Sequence, residues 1–597
     1  MSIEYPLDEI YRRNHRVLPK LIPLSRYQIP QPYRALLVHE RDMTPTLANF
    51  HKSSIRIEAL ESWEKDNVYY REVLLFSNSS NRALLYGGIK IDLSLLPEGA
   101  SQKVLEEKEP LGGILADFKV DHTSEPSGYF QIKSGSFIAD NLGSNKGQIL
   151  YGRRNTLYSS DRKPIAEIVE ILPLEATVQK DYDVIIMGGG PSGSASARIL
   201  AEEGYKTLVI EKETFPRYRV GESLIPYCYY PLKRLGMLEK MQKSHFQSKQ
   251  SVQFVTQDGK LSAPFYFMKH MKHEAANTWQ VKRSEFDIMM RDNAVEAGAE
   301  FMEGTAVKEL LKNEDGVPQA VKINGKSGEV ELSARMFLDC TGKDTMTMSR
   351  NKWRVTDAKL KKMAIWTYYK GAKRDEGIDE GATTVAYVEQ KGWFWYIPLH
   401  DDIVSVGVVA EKDYLFDDGR DLKKIFDREV EKNAWIKDHL STGEVVVDHK
   451  VTSEFSYRSK YCAEDNLLLV GDAFAFLDPV FSSGVFLALY SGVLAGESVV
   501  EAFRENDLSS ESFTEYSKKF RDGLEAMRAL VYAFYDQDFS FKDFIKKYPH
   551  LHSDLTDCLI GNVYRDLEEL FVAMRDFADL PEKLKHGLPK PKETVEV

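Results

Sequence analysis

A glycine-rich turn near residue 190 restricts the possible folds more than any other feature of the sequence. Gly188, Gly190 and Gly193 form a G-x-G-x-x-G pattern between an apolar run, DYDVIIM, and a helical pattern, SASARILAEEG. A second apolar run, KTLVIEK, follows and contains Glu211 at its end. In a βαβ unit such glycines allow a tight turn, close approach of the backbone to a pyrophosphate and close packing of helix on strand, while the acid accepts hydrogen bonds from a ribose. The pattern therefore predicts a dinucleotide site.

The length and composition indicate a soluble multidomain protein. The chain has 597 residues, and at roughly 100–200 residues per domain it has room for about three or four structural units. Its net charge of −12 argues against a nucleic-acid partner and gives no support for binding an anionic membrane surface. Four cysteines without a C-x-x-C pair predict neither a zinc centre nor a disulfide framework. We therefore expect no metal, no nucleic-acid or membrane partner, and a cytoplasmic location.

Two segments bear on targeting. The N-terminal sequence, MSIEYPLDEIYRRNHRVLPK, mixes charges of both signs and lacks the apolar segment of a signal peptide. The low-charge stretch at 479–496 is long enough to raise the question of a membrane span. It is rich in Ser and Gly, however, and it follows Asp472 and Asp478. We interpret it as a buried helix beside a cofactor.

The pattern of apolar runs divides the chain near residue 176. Residues 1–176 contain short runs rich in Val, Ile, Leu and Tyr that are separated by turn signals, which predicts an antiparallel sheet. Residues 177–508 alternate strand and helix patterns, and residues 509–597 are predominantly helical in pattern. The predicted fold class is a multidomain α+β and α/β protein.

Three segments downstream of the glycine turn favour FAD over NAD. Gly471 and Asp472 follow the apolar run NLLLV, the sequence DCTG at 339–342 ends another strand pattern, and Arg283 lies in WQVKRSEFD. Together they resemble the p-hydroxybenzoate-hydroxylase-like flavoproteins, which implies a Rossmann-type FAD fold in which the Asp contacts the ribityl and pyrophosphate region and the Arg meets the phosphates. Taken singly, Asp472 could be a helix N-cap and Arg283 a surface ion pair.

Residues 181–585 also carry motifs that resemble those of the flavin-dependent halogenases. The sequence GWFWYIP at 392–398 matches the W-x-W-x-I-P motif, and GESLIP at 221–226 resembles the family's GESLLP segment. The resemblance implies reduced FAD (FADH2), O2 and a halide ion, chloride or bromide, as reactants, and hypohalous acid that reaches a lysine through a closed tunnel. The positions that this resemblance places beside the tunnel are Trp393, Trp395, Pro479, Ser482 and Gly484. The alternating tryptophans could instead belong to an ordinary strand core.

Lys249 is the candidate catalytic lysine. It lies between Phe246 and Phe254 in an F-x-x-K-x-x-x-x-F pattern like that of the halogenases that act on phenols. An ammonium group in a pocket of low dielectric can hydrogen-bond hypohalous acid or form a haloamine. A solvated surface lysine is the alternative. The family resemblance also implies a separate flavin reductase as partner. Two other flavoenzymes remain open, an aromatic hydroxylase that uses NAD(P)H and a reductase like the geranylgeranyl reductases.

Residues 1–175 resemble chorismate pyruvate-lyase. The matching segments are YREVLL at 70–75, EPLG at 109–112, and GRR at 152–154 with the strand that ends in ILP at 171–173. The resemblance implies that Arg71 binds a carboxylate, that the backbone at Gly112 touches the ligand, and that Glu170 handles a proton; Glu167 is a rival for the last role. An ion pair between Arg71 and Glu170 is the structural alternative.

The pairing of the two regions suggests a substrate. A lyase of this type yields 4-hydroxybenzoate, an electron-rich phenol that a halogenase could modify. We therefore expect a small aromatic substrate like 4-hydroxybenzoate, either free or bound to an acyl carrier protein. The first domain would form this acid or, as a non-catalytic module, only bind it.

Overall fold

The computed structural model describes residues 2–30, 32–173, 180–325, 328–388, 392–453, 456–536 and 539–591. The chain forms two compact units. The first comprises residues 1–179 with 500–507, and the second comprises residues 180–499 with 508–597.

The described part of the first unit contains a seven-stranded antiparallel sheet in the order β1-β5-β6-β7-β4-β3-β2. Its strands are β1 (Leu21–Leu24), β2 (Ile55–Lys65), β3 (Val68–Ser77), β4 (Ala83–Asp92), β5 (His122–Lys133), β6 (Ile149–Ser159) and β7 (Pro164–Leu172). Its helices are α1 (Leu7–Arg13), α2 (Tyr33–Leu37), α3 (Met43–His51), α4 (Glu98–Leu105), α5 (Leu111–Asp117) and α6 (Ser136–Leu142). The antiparallel sheet expected from the apolar runs is therefore present.

Helices cover both faces of this sheet. Leu74 of β3 packs in one cluster with residues of α1 and α6, whereas the next residue, Leu75, packs in another with residues of α2 and α3. Successive strand residues point to opposite faces, so a strand that is covered on both sides needs apolar residues without alternation. This explains why β3 and β4 are buried along nearly their whole length.

The second unit begins with the βαβ unit expected from the glycine pattern. Its first sheet has the order β14-β9-β8-β17-β16-β15, with β27 added beside β17, and β8, β9, β14, β17 and β27 run parallel. The strands up to β17 are β8 (Tyr182–Met187), β9 (Thr207–Ile210), β10 (Gln247–Lys249), β11 (Ser251–Val255), β12 (Phe265–Tyr266), β13 (Thr278–Gln280), β14 (Glu300–Met302), β15 (Val307–Lys312), β16 (Pro318–Gly325) and β17 (Gly328–Asp339).

A second sheet of this unit has the order β12-β11-β20-β21-β22-β19-β23. The remaining strands are β18 (Arg354–Thr356), β19 (Lys362–Lys370), β20 (Thr383–Val388), β21 (Gly392–Pro398), β22 (Ile403–Glu411), β23 (Glu444–Val445), β24 (Lys450–Ser453), β25 (Tyr457–Ser459), β26 (Ala463–Glu464), β27 (Leu467–Leu469) and β28 (Ala475–Phe476).

Helices follow the strands and dominate the C-terminal region, as the sequence pattern predicts. They are α7 (Pro191–Glu202), α8 (Tyr229–Arg234), α9 (Leu238–Gln242), α10 (Phe267–His270), α11 (Arg283–Glu296), α12 (Met346–Arg350), α13 (Lys412–Leu415), α14 (Leu422–Glu431), α15 (Ala434–Leu440), α16 (Ser483–Arg504), α17 (Thr514–Tyr535), α18 (Phe541–Lys547), α19 (His552–Ile560) and α20 (Glu568–Met574).

The apolar stretch that raised the membrane question lies mostly in α16. Among the described residues, this one helix is long and apolar enough to cross a membrane by length and composition. Within its most apolar window, 61% of the residues are buried inside the protein. A core helix has the same properties, so the evidence for a membrane span is weak.

Candidate active site in the second unit

A cavity of about 900 Å³ lies at the carboxyl ends of the parallel strands of the second unit. The strands β8, β9 and β17 end at Met187, Ile210 and Asp339. The residues directly after them, Gly188, Glu211 and Cys340, line the cavity. Ligands of open α/β sheets bind at this edge, where turns between strands and helices present backbone N–H groups. The cavity is therefore in the position that the predicted dinucleotide site requires.

The glycine turn can be built only from glycine at two positions. Gly188 has φ +106°, and a Cβ there would lie 2.3 Å from the carbonyl oxygen of Cys340. A Cβ on Gly193 would lie 2.0 Å from the carbonyl oxygen of Gly188. Gly190 is the N-cap of α7 and lines the cavity. The turn thus brings the N-terminus of α7, the end of a helix that favours anions, to the cavity surface.

Glu211 holds the same turn in place. Its carboxylate accepts hydrogen bonds from the backbone N–H groups of Gly189, at 2.8 Å, and of Glu213, at 3.0 Å. It is buried and also lines the cavity. Glu211, which the sequence pattern predicts to bind a ribose, therefore also accepts two hydrogen bonds from the protein backbone.

Two of the arginines that line the cavity, Arg217 and Arg283, are buried. Arg283 donates from Nε and Nη2 to both carboxylate oxygens of Asp287, at 2.8 and 3.1 Å, and from Nη1 to the Val220 carbonyl, at 2.9 Å. The ion pair of Arg283 with Asp287 is therefore buried beside the cavity and does not lie on the surface. The sequence patterns did not predict Arg217 as a cavity residue. Its Nη2 lies 3.4 Å from Asp287, and its buried Nε has no hydrogen-bond partner within the described ranges.

The loop that follows β27 supplies an acid to the cavity. Gly471 has φ +60°, and its N–H donates to Ser491 Oγ at 3.1 Å. Asp472 lines the cavity beside Lys343. Burial raises the pKa of Asp472 to about 6, and the positive charges of Lys343 and Arg283 oppose this rise. Asp472 is therefore a cavity residue, and its side chain caps no helix in the described structure.

These features fit FAD. The glycine turn forms a cradle that side chains would fill, a helix N-terminus and Arg217 offer donors to a pyrophosphate, and Glu211 presents a carboxylate to the cavity beside this turn. The groups that would hold the cofactor are Gly188, Gly190, Gly193, Glu211, Arg217, Arg283, Gly471 and Asp472.

The W-x-W-x-I-P strand forms another part of the cavity wall. Trp393 and Trp395 of β21 line the cavity, whereas Phe394 and Tyr396, on the opposite face of the strand, belong to the hydrophobic core. The structure thus places the two tryptophans on the cavity face of the strand and their neighbours on its core face. Pro479, Ser482 and Gly484 line the cavity as well.

Hydrogen bonds fix both indole rings. Trp393 Nε1 donates to the hydroxyl of Tyr535, at 2.8 Å, and that hydroxyl donates to Asp478 Oδ2, at 2.9 Å. Trp395 Nε1 donates to Ser405 Oγ at 3.1 Å. Because a buried indole N–H without an acceptor is costly, these partners hold each ring in one orientation.

Lys249 is buried at the end of β10 and is only 1% exposed. Its Nζ donates to Ser223 Oγ at 2.7 Å and to the Leu224 carbonyl at 2.9 Å. Ser223 Oγ is also hydrogen-bonded to Thr383 Oγ1, at 2.8 Å, and Ser223 and Thr383 both line the cavity. Lys249 is therefore one hydrogen bond behind the cavity wall. Burial lowers the pKa of Lys249 to about 7.

Comparison with known proteins places this site in a family. The profile of the tryptophan halogenase family matches residues 183–274 and 256–543. The chain belongs to this family of flavin-dependent halogenases. It uses reduced FAD and a halide, so the cofactor prediction is confirmed. The halogenase interpretation is also confirmed, at the level of the family.

The halogenase is similar to enzymes of known activity. It is 32% identical over 409 residues to the 1H-pyrrole-2-carbonyl-(peptidyl-carrier protein) chlorinase of Pseudomonas fluorescens, which covers 64% of this chain and 90% of that enzyme. It is also 32% identical over 331 residues to the corresponding brominase of Pseudoalteromonas luteoviolacea, covering 55% and 79%.

A solved structure supports the same fold. The flavin-dependent brominase Bmp2 shares 27% identity and a TM-score of 0.61 with this chain, and the match covers 66% of this chain and 97% of Bmp2. The predicted Rossmann-type FAD fold is thereby confirmed. The matched family profile begins at residue 183, so the resemblance of residues 1–175 to chorismate lyase stays a prediction.

The first unit contains a smaller cavity of about 70 Å³ that brings Arg71, Gly112 and Glu170 together. Arg71 is 1% exposed, and its Nε and Nη1 have no hydrogen-bond partner in the part of the chain that the structure describes. Glu170 accepts a hydrogen bond from Arg153 and not from Arg71. The alternative of an ion pair between Arg71 and Glu170 is thus not what the structure shows.

The structure also separates the two candidate acids of β7. Glu170 lines this cavity, whereas Glu167 accepts from Arg154, at 2.8 Å, and from Lys90, at 3.0 Å. Residues three apart on a strand point to opposite faces. Glu170 is therefore the acid that shares a cavity with Arg71.

Proposed function

We propose that the second unit halogenates an electron-rich phenolic ring and that Lys249 is its catalytic residue. The observation that carries this proposal is the burial of Lys249 one hydrogen bond from Ser223, a residue of the cavity wall. A lysine so placed can act on a small oxidant from the cavity while remaining shielded from bulk water.

The chemistry divides between the cofactor and the protein. When bound, reduced FAD with O2 supplies the oxidising equivalent that converts a halide into hypohalous acid. Lys249 then holds this small molecule through its Nζ, or its neutral Nζ forms a bond to the halogen as the halogen–oxygen bond breaks and water leaves. The halogen passes on to the ring, which loses a proton. With a pKa of about 7, both forms of Lys249 exist near neutral pH.

The rest of the wall favours halide oxidation over attack on the ring. Trp393 and Trp395 occupy one side of the cavity and cannot turn away, because Tyr535 and Ser405 accept their indole N–H groups. Fixed, bulky rings exclude an aromatic substrate from the flavin side of the site. This arrangement favours a halogenase over an aromatic hydroxylase.

The substrate that we propose is 4-hydroxybenzoate or a close derivative, free or bound to an acyl carrier protein. The F-x-x-K-x-x-x-x-F pattern around Lys249 supports a phenol. The relatives described above act on a carrier-bound pyrrole, which supports delivery by a carrier. We also propose a separate flavin reductase as partner and a cytoplasmic location.

A competition among substrates tests this proposal. The full chain, with reduced FAD and bromide, would be offered 4-hydroxybenzoate, its thioester on a carrier protein, and the pyrrole-2-carboxyl thioester of the same carrier. We expect bromination of one or both phenols and not of the pyrrole. Bromination of the pyrrole thioester alone would overturn the phenol assignment.

For the first unit we propose binding of an aromatic carboxylic acid, with chorismate pyruvate-lyase activity as the reaction. The observation that favours it is the burial of Arg71 Nε and Nη1, which have no hydrogen-bond partner among the described residues, in a cavity lined mainly by apolar side chains. A buried guanidinium stays charged, so it needs an anion, and a carboxylate matches its geometry.

Two further groups suit such a ligand. Asn155 also lines this cavity. Its buried Oδ1 has no hydrogen-bond partner among the described residues. It can accept from a hydroxyl of the ligand. Glu170 can exchange a proton with the bound acid as an enolpyruvyl ether is eliminated. Release of pyruvate from chorismate tests the lyase; calorimetry with 4-hydroxybenzoate tests binding alone.

A further inference from the structure

A cluster of three potential metal ligands lies outside the flavin cavity of the second unit. His245 precedes β10, Glu285 lies in the first turn of α11, and His400 follows β21. One ligand atom from each of these side chains lies within 4.8 Å of the other two. The separations in sequence are 40 and 115 residues, so no spacing motif could have revealed the cluster.

The two histidines present the same nitrogen to one carboxylate. His245 Nε2 lies 2.7 Å from Glu285 Oε2, and His400 Nε2 lies 3.0 Å from Glu285 Oε1. The imidazole rings meet edge to face, with centroids 4.3 Å apart. A tetrahedral zinc ion with bonds of about 2.0–2.1 Å holds its ligand atoms about 3.3–3.5 Å apart. Small side-chain rotations would therefore bring all three groups onto one ion.

We propose that His245, Glu285 and His400 form a binding site for a divalent transition-metal ion, with zinc as the best match. Two imidazoles and one carboxylate form a known zinc ligand set that keeps a fourth position open, and the same set also binds iron(II). A fourth position is left for water or for Asp401, whose Oδ2 is 3.5 Å from His400 Nε2.

The accessibility of the three groups suits reversible binding. His400 is buried, Glu285 is partly exposed and His245 is 67% exposed. An ion can thus approach from solvent past the exposed His245 and reach the buried His400. The bound ion would join the segment that leads into β10, and hence to Lys249, to the first turn of α11.

A neighbouring lysine competes with the metal. Lys282 Nζ lies 3.3 Å from Glu285 Oε1, but it also lies 3.0 Å from Asp401 Oδ2. Asp401 can keep this ammonium when Glu285 turns to an ion. Because the positive charge of Lys282 opposes a cation on Glu285, its removal is expected to tighten metal binding.

The test is titration of the metal-free full chain with zinc chloride, followed by competition with a chromophoric chelator. We expect one strong zinc site per chain, and at least a tenfold loss of affinity in His245→Ala and in Glu285→Gln. His400→Ala is less suitable as a first variant because His400 is buried and its loss could disturb folding. Lys282→Ala is expected to raise the affinity.

The matched control is His550→Ala. His550 is 61% exposed and pairs with Glu569 at 3.4 Å, so it resembles the His245–Glu285 pair without the third ligand. This variant is expected to bind zinc like the wild type. Unchanged zinc affinity in both His245→Ala and Glu285→Gln would overturn the proposal, as would an equal loss in His550→Ala.

Discussion

Lys249 of the second unit and Arg71 of the first unit are both buried beside a cavity, and they differ in how the protein satisfies their hydrogen-bond donors. Lys249 and Arg71 are both 1% exposed. Lys249 donates to Ser223 and to the Leu224 carbonyl, and burial lowers its pKa to about 7. Arg71 leaves Nε and Nη1 without an acceptor in the described structure. A lysine can lose its proton, whereas an arginine stays charged and must be matched by an anion.

The different hydrogen bonding of Lys249 and Arg71 indicates how far each site is organised by the protein alone. The halogenase site is organised in advance, because protein groups satisfy Lys249 and both indole rings. In the first unit, Nε and Nη1 of Arg71 have no hydrogen-bond acceptor among the described residues, although Glu107 interacts with the guanidinium electrostatically, and we infer that a bound anion would stabilise it further. We infer that the halogenase site of the second unit suits a reaction with a small neutral oxidant, and that the cavity of the first unit suits binding of an anion.

The largest expected effect tests the role of Lys249. In Lys249→Ala, halogenation should fall by about 100-fold or more, the lower range for loss of a group that transfers or holds a proton in catalysis. FAD affinity, measured by flavin fluorescence, should stay unchanged. Lys243→Ala, which removes a nearby but 73% exposed lysine, is the control and should keep full activity. Full activity in Lys249→Ala would remove this residue from the mechanism.

A second experiment measures the effect of burying the lysine on stability. The folded-state pKa of Lys249, about 7, lies below the ordinary value of 10.5, so the unfolded chain binds more protons between these pH values. The charge of Lys249 therefore destabilises the fold, most strongly below pH 7, and the penalty disappears as pH rises towards 10.5. Lys249→Met should raise the free energy of unfolding by a few kcal/mol at pH 6 and by less at pH 10, as measured by urea denaturation. An increase that is independent of pH would contradict this account.

The corresponding change in the first unit should weaken a ligand without weakening the fold. In Arg71→Met, calorimetry should show affinity for 4-hydroxybenzoate reduced by about 10- to 100-fold, since a charge-assisted hydrogen bond contributes about 1.5–3 kcal/mol. The melting temperature of the ligand-free protein should not fall. Arg153→Met is the contrast: Arg153 pairs with Glu170, so its loss should destabilise the fold by about 3–5 kcal/mol. A large drop in melting temperature for Arg71→Met would show that Arg71 is structural.

Much of this site could be predicted from the sequence, because its patterns are local. The G-x-G-x-x-G turn and the W-x-W strand constrain backbone geometry within a few residues, and the structure places both at the cavity. The pattern that predicts Lys249 is also short, running from Phe246 through β10 into β11.

The missed features depend on distant residues. The Trp393–Tyr535 bond spans 142 positions, and no sequence rule connects a strand with a C-terminal helix at that distance. The choice between Glu170 and Glu167 depends on which face of β7 meets the cavity, and this register is set by the neighbouring strands.

The smallest expected effect on activity concerns the hydrogen bond that holds the Trp393 ring in place. Tyr535→Phe removes the hydroxyl that joins Trp393 to Asp478, at a cost of about 1–3 kcal/mol in stability for each of the two buried groups that lose their partner. We expect a modest loss of halogenation and more hydrogen peroxide released per product, because the ring loses its fixed orientation. Tyr532→Phe, which changes another tyrosine of α17, should leave this ratio unchanged. No change in the ratio for Tyr535→Phe would show that Trp393 needs no such support.

The most direct test of the account is the product mass spectrum of wild type and Lys249→Ala with reduced FAD, O2, bromide and a phenolic acid. The wild type should give a product with the bromine isotope doublet, and Lys249→Ala should consume O2 without forming it. A hydroxylated product from the wild type, or the same brominated product from both proteins, would contradict the claim that halogen reaches the ring through Lys249.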